Sequence, residues 1–346
     1  MGVDLGDLAS KHTINLASLS GKIIAIDAFN IIYQFLASIR QEDGTPLMDF
    51  KGNVTAHLSG LFYRNARLLE NGIRPIYVFD GKPPSFKGAT QEARAFAKAE
   101  AEKKWKKALE EERLEDAKKY AQATSKLTRE MVGESKQLLE AMGIPVFQAP
   151  SEGEAQAAYF VQQGAAYATA SQDYDALLFG SPVLLRNISI TGRRKVPRQN
   201  RFVIVEPEEI NLEETLRTLG ITHKQLILLG ILVGTDFNEG VQRVGPKTAL
   251  KIVKEHTTPG AIKKYVQEKY QYEFEEDIEA IIDFFLHPPI EKTSEKFSWP
   301  ESDETKVRKI LCEEHDFNED RIQRTLEQML KQYKEKTSQS KLEKWF

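Results

Sequence analysis

Cysteine is nearly missing from this chain: Cys312 is the single one among 346 residues. That excludes an intramolecular disulfide framework and any zinc site built on cysteine pairs. Histidine is also scarce, with 6 residues, and no His–Ser or Cys–His arrangement suggests nucleophilic catalysis. No apolar run approaches the length of a membrane span, and the N-terminus lacks the apolar core of a signal peptide. Met1-Gly2 looks like a myristoylation start, but Gly6 stands where that motif needs Ser or Thr. A cytoplasmic protein with no membrane partner is the expectation. A strong charge of one sign is missing too: 48 Lys and Arg face 51 Asp and Glu, a formal net charge of −3. Any binding to nucleic acid must then use local basic patches.

What is present is acid in unusual places. Glu152 and Glu154 lie in SEGEAQAAYF, and Asp173 and Asp175 lie in SQDYDALLF. The residues that follow each pair are apolar, so burial is expected. Buried carboxylates raise one another's pKa, and a bound cation is the simplest relief. Oxygen-only ligands favour a hard ion such as Mg²⁺.

Short β-branched runs alternate with helical patterns. Lys22–Phe29, Ile73–Asp80, Ile144–Ala149 and Tyr167–Ser171 read as strands, and Val54–Glu70, Thr128–Met142 and Glu154–Gln163 as helices. This alternation predicts an α/β fold with a mostly parallel central sheet flanked by helices. Asp27 and Asp80 end two strands, and Glu152 and Asp173 follow two more. Open α/β sheets bind ligands at the carboxyl ends of their strands. A hairpin is expected between Val183–Ile188 and Arg201–Val205, bracketing the basic loop RRKVPRQNR.

Each motif has a plainer alternative. Ser151-x-x-Glu154 matches a capping box, which could account for Glu154 without metal, although both roles can coexist. Asp173 and Asp175 could be turn residues. Lys87 and Arg94, seven apart, would share one helix face and could grip a phosphate or merely be surface charge. Gly245-Pro246-Lys247-Thr248 resembles a phosphate loop, but Pro246 intervenes and no strand precedes it. A helix–hairpin–helix starting from Leu226–Val233 is the better reading, with backbone N–H groups offered to a DNA phosphate. Thr90–Lys126 is dense in both charges with sparse apolar residues, which fits exposed helices. From about Gln332 the chain is polar and expected to be disordered, ending in apolar Leu342, Trp345 and Phe346 that could fill a partner's pocket.

Taken together, IDAFN, FDGKPP, SEGEAQAA, SQDYDALLFG, GTDFN, VGPKTA and the terminal Q-x-x-L-x-x-W-F resemble the flap endonucleases of the structure-specific 5′-nuclease (XPG/Rad2-type) superfamily, the archaeal branch most. The resemblance runs from Met1 to Phe346. It implies a PIN-like core in a single 5′-nuclease domain over residues 1–331, with an N-terminal region over 1–98 and an internal region over 130–258. The helix–hairpin–helix would span 226–256, and a flexible tail 332–346. It implies metal-site carboxylates Asp27, Asp80, Glu152, Glu154, Asp173, Asp175 and Asp236, holding two Mg²⁺ or Mn²⁺ in their place. Lys87 and Arg94 would sit at the base of a helical arch, Lys82–Arg129, that clamps a 5′ flap. Gly2, Tyr33, Arg193, Arg194, Lys195, Gly245, Lys247 and Thr248 would contact DNA, and segment 41–50 would be a wedge between duplex arms. Gln339, Leu342, Trp345 and Phe346 would bind a sliding clamp (PCNA). A monovalent cation is implied beside the hairpin, where Gly240 offers no side chain although some relatives place a serine. The implied enzyme is a monomer that cuts branched DNA near the flap–duplex junction, with 5′ exonuclease activity alongside, in Okazaki fragment maturation and repair. Two other readings remain: a PIN-like ribonuclease, and a non-catalytic clamp-tethered scaffold.

Overall fold

The computed structural model describes residues 2–189, 192–195, 202–293 and 296–342. Its centre is a seven-stranded sheet. The strands are β1 (Lys11–Thr13), β2 (Ile23–Asp27), β3 (Arg74–Phe79), β4 (Val146–Gln148), β5 (Ala168–Ala170), β6 (Val183–Arg186) and β9 (Glu208–Asn211), in the order β1-β9-β6-β5-β2-β3-β4. The strands from β6 to β4 are parallel, and β9 and β1 add antiparallel pairings at one edge. The expected mostly parallel α/β sheet is what the chain forms.

Alternation along β2 and β3 explains why the sheet is central. Ile24, Ile26, Tyr77 and Phe79 feed one buried cluster, while Ala25, Ile76 and Val78 feed another on the opposite face. A strand apolar on both faces must be covered on both. Helices α1 (Ala28–Ser38), α2 (Ala56–Glu70) and α5 (Arg129–Ala141) join the first cluster. Between them, α3 (Gly88–Glu110) and α4 (Leu114–Gln122) form the charged pair expected from composition. They pack through small residues: Ala101, Ala108, Ala117 and Ala121 are buried, whereas Phe96 and Leu114 are exposed.

The opposite layer holds α6 (Gly153–Gln162), α7 (Asp175–Leu178), α8 (Leu212–Leu219) and α9 (His223–Val233). They continue into α10 (Pro246–Glu255), α11 (Pro259–Tyr270) and α12 (Ile278–Leu286) around a second large cluster. Helix α13 (Glu304–Arg308), a π-helical turn at Lys309–Glu314 and α14 (Glu319–Leu342) return to pack on the α2 side. Among the described residues no single helix is long and apolar enough to cross a membrane.

Two expectations change. Val183–Arg186 does not pair with Phe202–Val205: β6 lies inside the sheet between β5 and β9. Its Leu184 and Leu185 are fully buried, so it needs neighbours on both sides. The basic segment instead forms its own hairpin, β7 (Gly192–Lys195) with β8 (Phe202–Val205). The tail expected to be disordered from Gln332 is helical through Leu342. Its Lys, Gln and Glu are good helix formers that extend an established helix at little cost.

Candidate active site at the carboxyl edge of the sheet

The chain leaves β2 toward β3 and β4 on one side and later returns to place β5 and β6 on the other. The switch point therefore lies between β2 and β5, where open α/β sheets open a crevice. Asp27 is the last residue of β2, and Asp173 follows β5. Asp80 follows β3, and Glu152 follows β4.

Local structure aims each acid. Asp27 caps α1, its carboxylate accepting the Asn30 N–H at 3.1 Å. Asn30 then donates to Asp173 Oδ2 at 2.9 Å and accepts the Gln172 N–H, also at 2.9 Å. One side chain thus couples the ends of β2 and β5. Asp80 reaches across to accept the Gly153 N–H at 2.7 Å. That bond satisfies an orphan donor at the start of α6. A Cβ at residue 153 would stand 2.8 Å from Asp80 Oδ1, so glycine permits the approach.

The capping box at Ser151 is not formed. Glu152 is the N-cap of α6 and makes no side-chain cap bond. Its carboxylate accepts instead from Lys87 Nζ at 2.6 Å, a stronger charge-assisted bond. Lys87 also lies 3.8 Å from Asp236 Oδ2. Its ammonium is 5.5 Å from the Phe237 ring centroid, and Phe86, Phe237 and Phe284 pack edge to face beside it.

Asp236 stands on a braced turn after α9. Asn238 donates to the carbonyls of Ile231 at 2.8 Å and Glu239 at 2.7 Å, and accepts from Thr235 Oγ1 at 2.8 Å. Asp175 is tied to the N-terminus, accepting the Val3 N–H at 2.7 Å. Gly2 lies so near that a Cβ there would be 2.6 Å from Asp175 Oδ2.

The electrostatics follow from this crowding. Burial, then the charge of Asp80, pushes the Asp27 carboxyl well above its ordinary range. Burial and Glu152 raise Asp80 to about 6. Burial and Asp236 raise Asp175 to about 8. Asp173 is raised by burial, and Glu154 by burial and Asp27. Burial pulls Lys87 down, but Glu152, Asp236 and Asp80 outweigh it and raise its pKa. The expected acids Asp27, Asp80, Glu152, Glu154, Asp173, Asp175 and Asp236 therefore share one site and repel one another.

These residues fit divalent cations. Glu154 Oε1 is buried without a hydrogen-bond partner, an orphaned acceptor among acids. Among the described residues, no three His, Cys, Asp or Glu side chains converge at direct-ligand distance. Mg²⁺ requires no such cage, since it keeps several waters and takes one or two carboxylates directly.

The other expected residues lie as follows. Tyr33 is on α1, with the Lys98 ammonium of α3 at 4.9 Å from its ring centroid. Arg94 lies in α3 and Arg193, Arg194 and Lys195 in β7; their side chains are outside the described residues. Gly245 caps α10 without a side-chain bond, leaving first-turn N–H groups for an anion, and no strand precedes it. Lys247 is exposed, 3.2 Å from Asp7. Thr248 lies in the first turn of α10. A Cβ at Gly240 would stand 2.1 Å from the Val233 carbonyl oxygen, so a serine does not fit here without backbone movement. Gln339 and Leu342 fall at the end of α14, while Trp345 and Phe346 lie outside the described residues. Sequence reasoning missed Asn30 and Asn238. The available signal was an amide inside or beside an apolar run, in AFNII and TDFN.

Comparison with known proteins agrees with this geometry. The XPG N-terminal domain family model matches residues 1–101, and the XPG I-region model matches residues 143–236. The chain is 53% identical to Flap endonuclease 1 of Thermococcus onnurineus, over 100% of this chain and 99% of that protein. Flap endonuclease 1 of Methanococcoides burtonii is 49% identical, over 100% of both chains. Among solved structures, flap endonuclease-1 from Methanococcus jannaschii superposes with a TM-score of 0.74 at 39% identity, covering 97% of this chain and 100% of its own. The catalytic core of Rad2 in complex with DNA substrate has the same fold, with a TM-score of 0.70 at 24% identity over 95% of this chain and all of that one. With such relatives matched along its whole length, the chain belongs to the flap endonuclease 1 family.

Proposed function

We propose that this protein is a structure-specific endonuclease that cleaves 5′ flaps of branched DNA near the flap–duplex junction, with 5′ exonuclease activity alongside. Products with a 5′-phosphate and a 3′-hydroxyl, and roles in Okazaki fragment maturation and repair, belong to this reading. The observation that carries it is the gathering of Asp27, Asp80, Glu152, Glu154, Asp173, Asp175 and Asp236 into one buried, mutually repelling set beside Lys87. Two Mg²⁺ ions, or Mn²⁺ in their place, would be held by these acids and would activate water and stabilise the leaving oxygen of a phosphodiester.

The chain's own residues do the rest. Asn30 and the Asp80–Gly153 bond hold acids from different strands in fixed relation. Lys87, with Arg94 seven residues on, supplies positive charge for the scissile phosphate. Tyr33 offers a ring for stacking beside the site, and Gly2 leaves room at Asp175. The α3–α4 pair would close over single-stranded DNA. The Arg193–Lys195 hairpin and the N-terminus of α10, with Lys247 and Thr248, would contact backbone phosphates without reading sequence. Segment 41–50 would meet the duplex arms. Residues Gln339, Leu342, Trp345 and Phe346 would anchor a monomeric enzyme on a sliding clamp. The packing of Gly240 argues against a serine-based monovalent cation site at that position.

A labelled 5′-flap duplex, a single-stranded RNA and a blunt duplex, each incubated with Mg²⁺ and with EDTA, test the reading. Cutting of the flap that requires Mg²⁺ is expected. Without it the nuclease reading fails, and preference for RNA favours a ribonuclease.

A further inference from the structure

A second set of titratable side chains lies away from the acids of the sheet edge. His57, on α2, is fully buried. Its Nε2 is 2.9 Å from Glu134 Oε2 on α5, and its Nδ1 meets no hydrogen-bond partner. A carboxylate only accepts, so hydrogen-bond logic puts the His57 proton on Nε2 and leaves Nδ1 bare. Glu134 Oε1 lies 3.5 Å from Nε2 of His315, and Nδ1 of His315 lies 3.2 Å from Asp49 Oδ2. His315, just past the π-helical turn, is 7% exposed. Each of its ring nitrogens thus faces a carboxylate. Of the two contacts, the one with Asp49 is a hydrogen bond and the one with Glu134 is longer.

Both carboxyls are held below their ordinary range. Despite the desolvation that raises it, hydrogen bonds from Asn53, His315 and Lys51 hold the Asp49 carboxyl down at about 2. The bond from His57 holds Glu134 below the ordinary carboxylate range. The remaining charged groups nearby are engaged elsewhere. Lys51 Nζ lies 3.4 Å from the Glu314 carbonyl, Glu314 lies 3.9 Å from Lys309, and Arg321 covers the Tyr63 ring at 4.8 Å.

Asp49 is the hub of a tight turn. It accepts the N–H groups of Lys51 at 2.9 Å and Asn53 at 2.8 Å, and the Asn53 side-chain amide at 2.9 Å. Phe50 donates its N–H to Asp316 Oδ2 at 3.1 Å, beside His315, while its ring stands 96% exposed at the tip. Beyond the Met48–Val54 bridge at its base, the hydrogen bonds described for this apolar tip run through Asp49 or the segment around His315.

We propose that His315 is a positioning residue: hydrogen-bonded to Asp49 through one ring nitrogen and facing Glu134 with the other, it pins the 49–53 turn to the helical wall and sets where Phe50 meets the duplex of a branched substrate. The duplex-facing half rests on the reading that segment 41–50 meets DNA, so the test reads the turn and the catalysis separately. Amide hydrogen exchange of the full-length protein reads the turn. His315→Gln, which lacks the ring that spans the two carboxylates, speeds exchange of the 49–53 amides by about tenfold or more, while the α2 core amides keep their protection. Steady-state cleavage of a 5′-flap duplex by His315→Gln shows KM raised several-fold and kcat within about twofold. Unchanged exchange at 49–53 overturns the proposal, as does faster exchange throughout the protein, which marks a merely structural role. Exchange that responds while KM does not overturns the duplex-facing half and leaves the nuclease reading to its own assay. Asp49→Asn, read the same way, supplies the test if His315→Gln does not fold.

Discussion

Asp175→Asn should stabilise the metal-free protein at neutral pH while abolishing cleavage. Asp175 is 4% exposed, and burial with Asp236 and Asp173 raises it from an ordinary 3.8 to about 8. Between those values the folded protein keeps a proton that the unfolded chain has released. Stability is therefore undiminished below the unfolded value, falls as pH rises between the two, and levels off above the folded value. About four pH units at about 1.4 kcal/mol each set an upper limit on the order of 5 kcal/mol. Asp80, raised to about 6, and Asp27 and Glu154, raised further, act in the same direction. Asparagine removes the charge yet keeps an oxygen to accept the Val3 N–H. Thermal unfolding in EDTA across roughly pH 5–8 reads the effect. The midpoint of the native protein should fall with pH more steeply than that of Asp175→Asn. At the upper end the variant should unfold several degrees higher. Adding Mg²⁺ should raise the native protein more than the variant and narrow the gap. Parallel curves for the two proteins in EDTA would refute the reasoning, because the carboxylates would then carry no mutual strain for a cation to relieve.

Other substitutions probe separate parts of the molecule. Lys87→Ala removes the ammonium that joins Glu152 to Asp236, and should slow single-turnover cleavage by about 10²–10³-fold with little change in flap binding. Arg94→Ala should likewise slow chemistry far more than binding, and equal losses in both would assign it to DNA affinity alone. Gly240→Ser forces an atom toward the Val233 carbonyl and should cost about 1–3 kcal/mol, seen as a lower urea midpoint. Deleting residues 339–346 should leave basal cleavage intact and remove stimulation by a sliding clamp; undiminished stimulation would locate clamp binding elsewhere.

What the sequence by itself determined was local and periodic. Alternating runs identified the strands β2 to β5 and their helices, because side-chain period and chain-breaking residues are properties of neighbouring positions. The same reading put Asp27, Asp80, Glu152 and Asp173 at strand ends, and a strand end in a parallel sheet has a known side. Only the tertiary structure decided the partnerships. Asp80, and not Ser151, serves the first turn of α6, and Lys87 engages Glu152, since both bonds join segments that fold together from far apart in the chain. Val183–Arg186 entered the sheet because its buried leucines required two neighbours, which no local pattern could name. The His315 contacts were invisible for the same reason: Asp49 and His315 are 266 positions apart, and only folding brings them together.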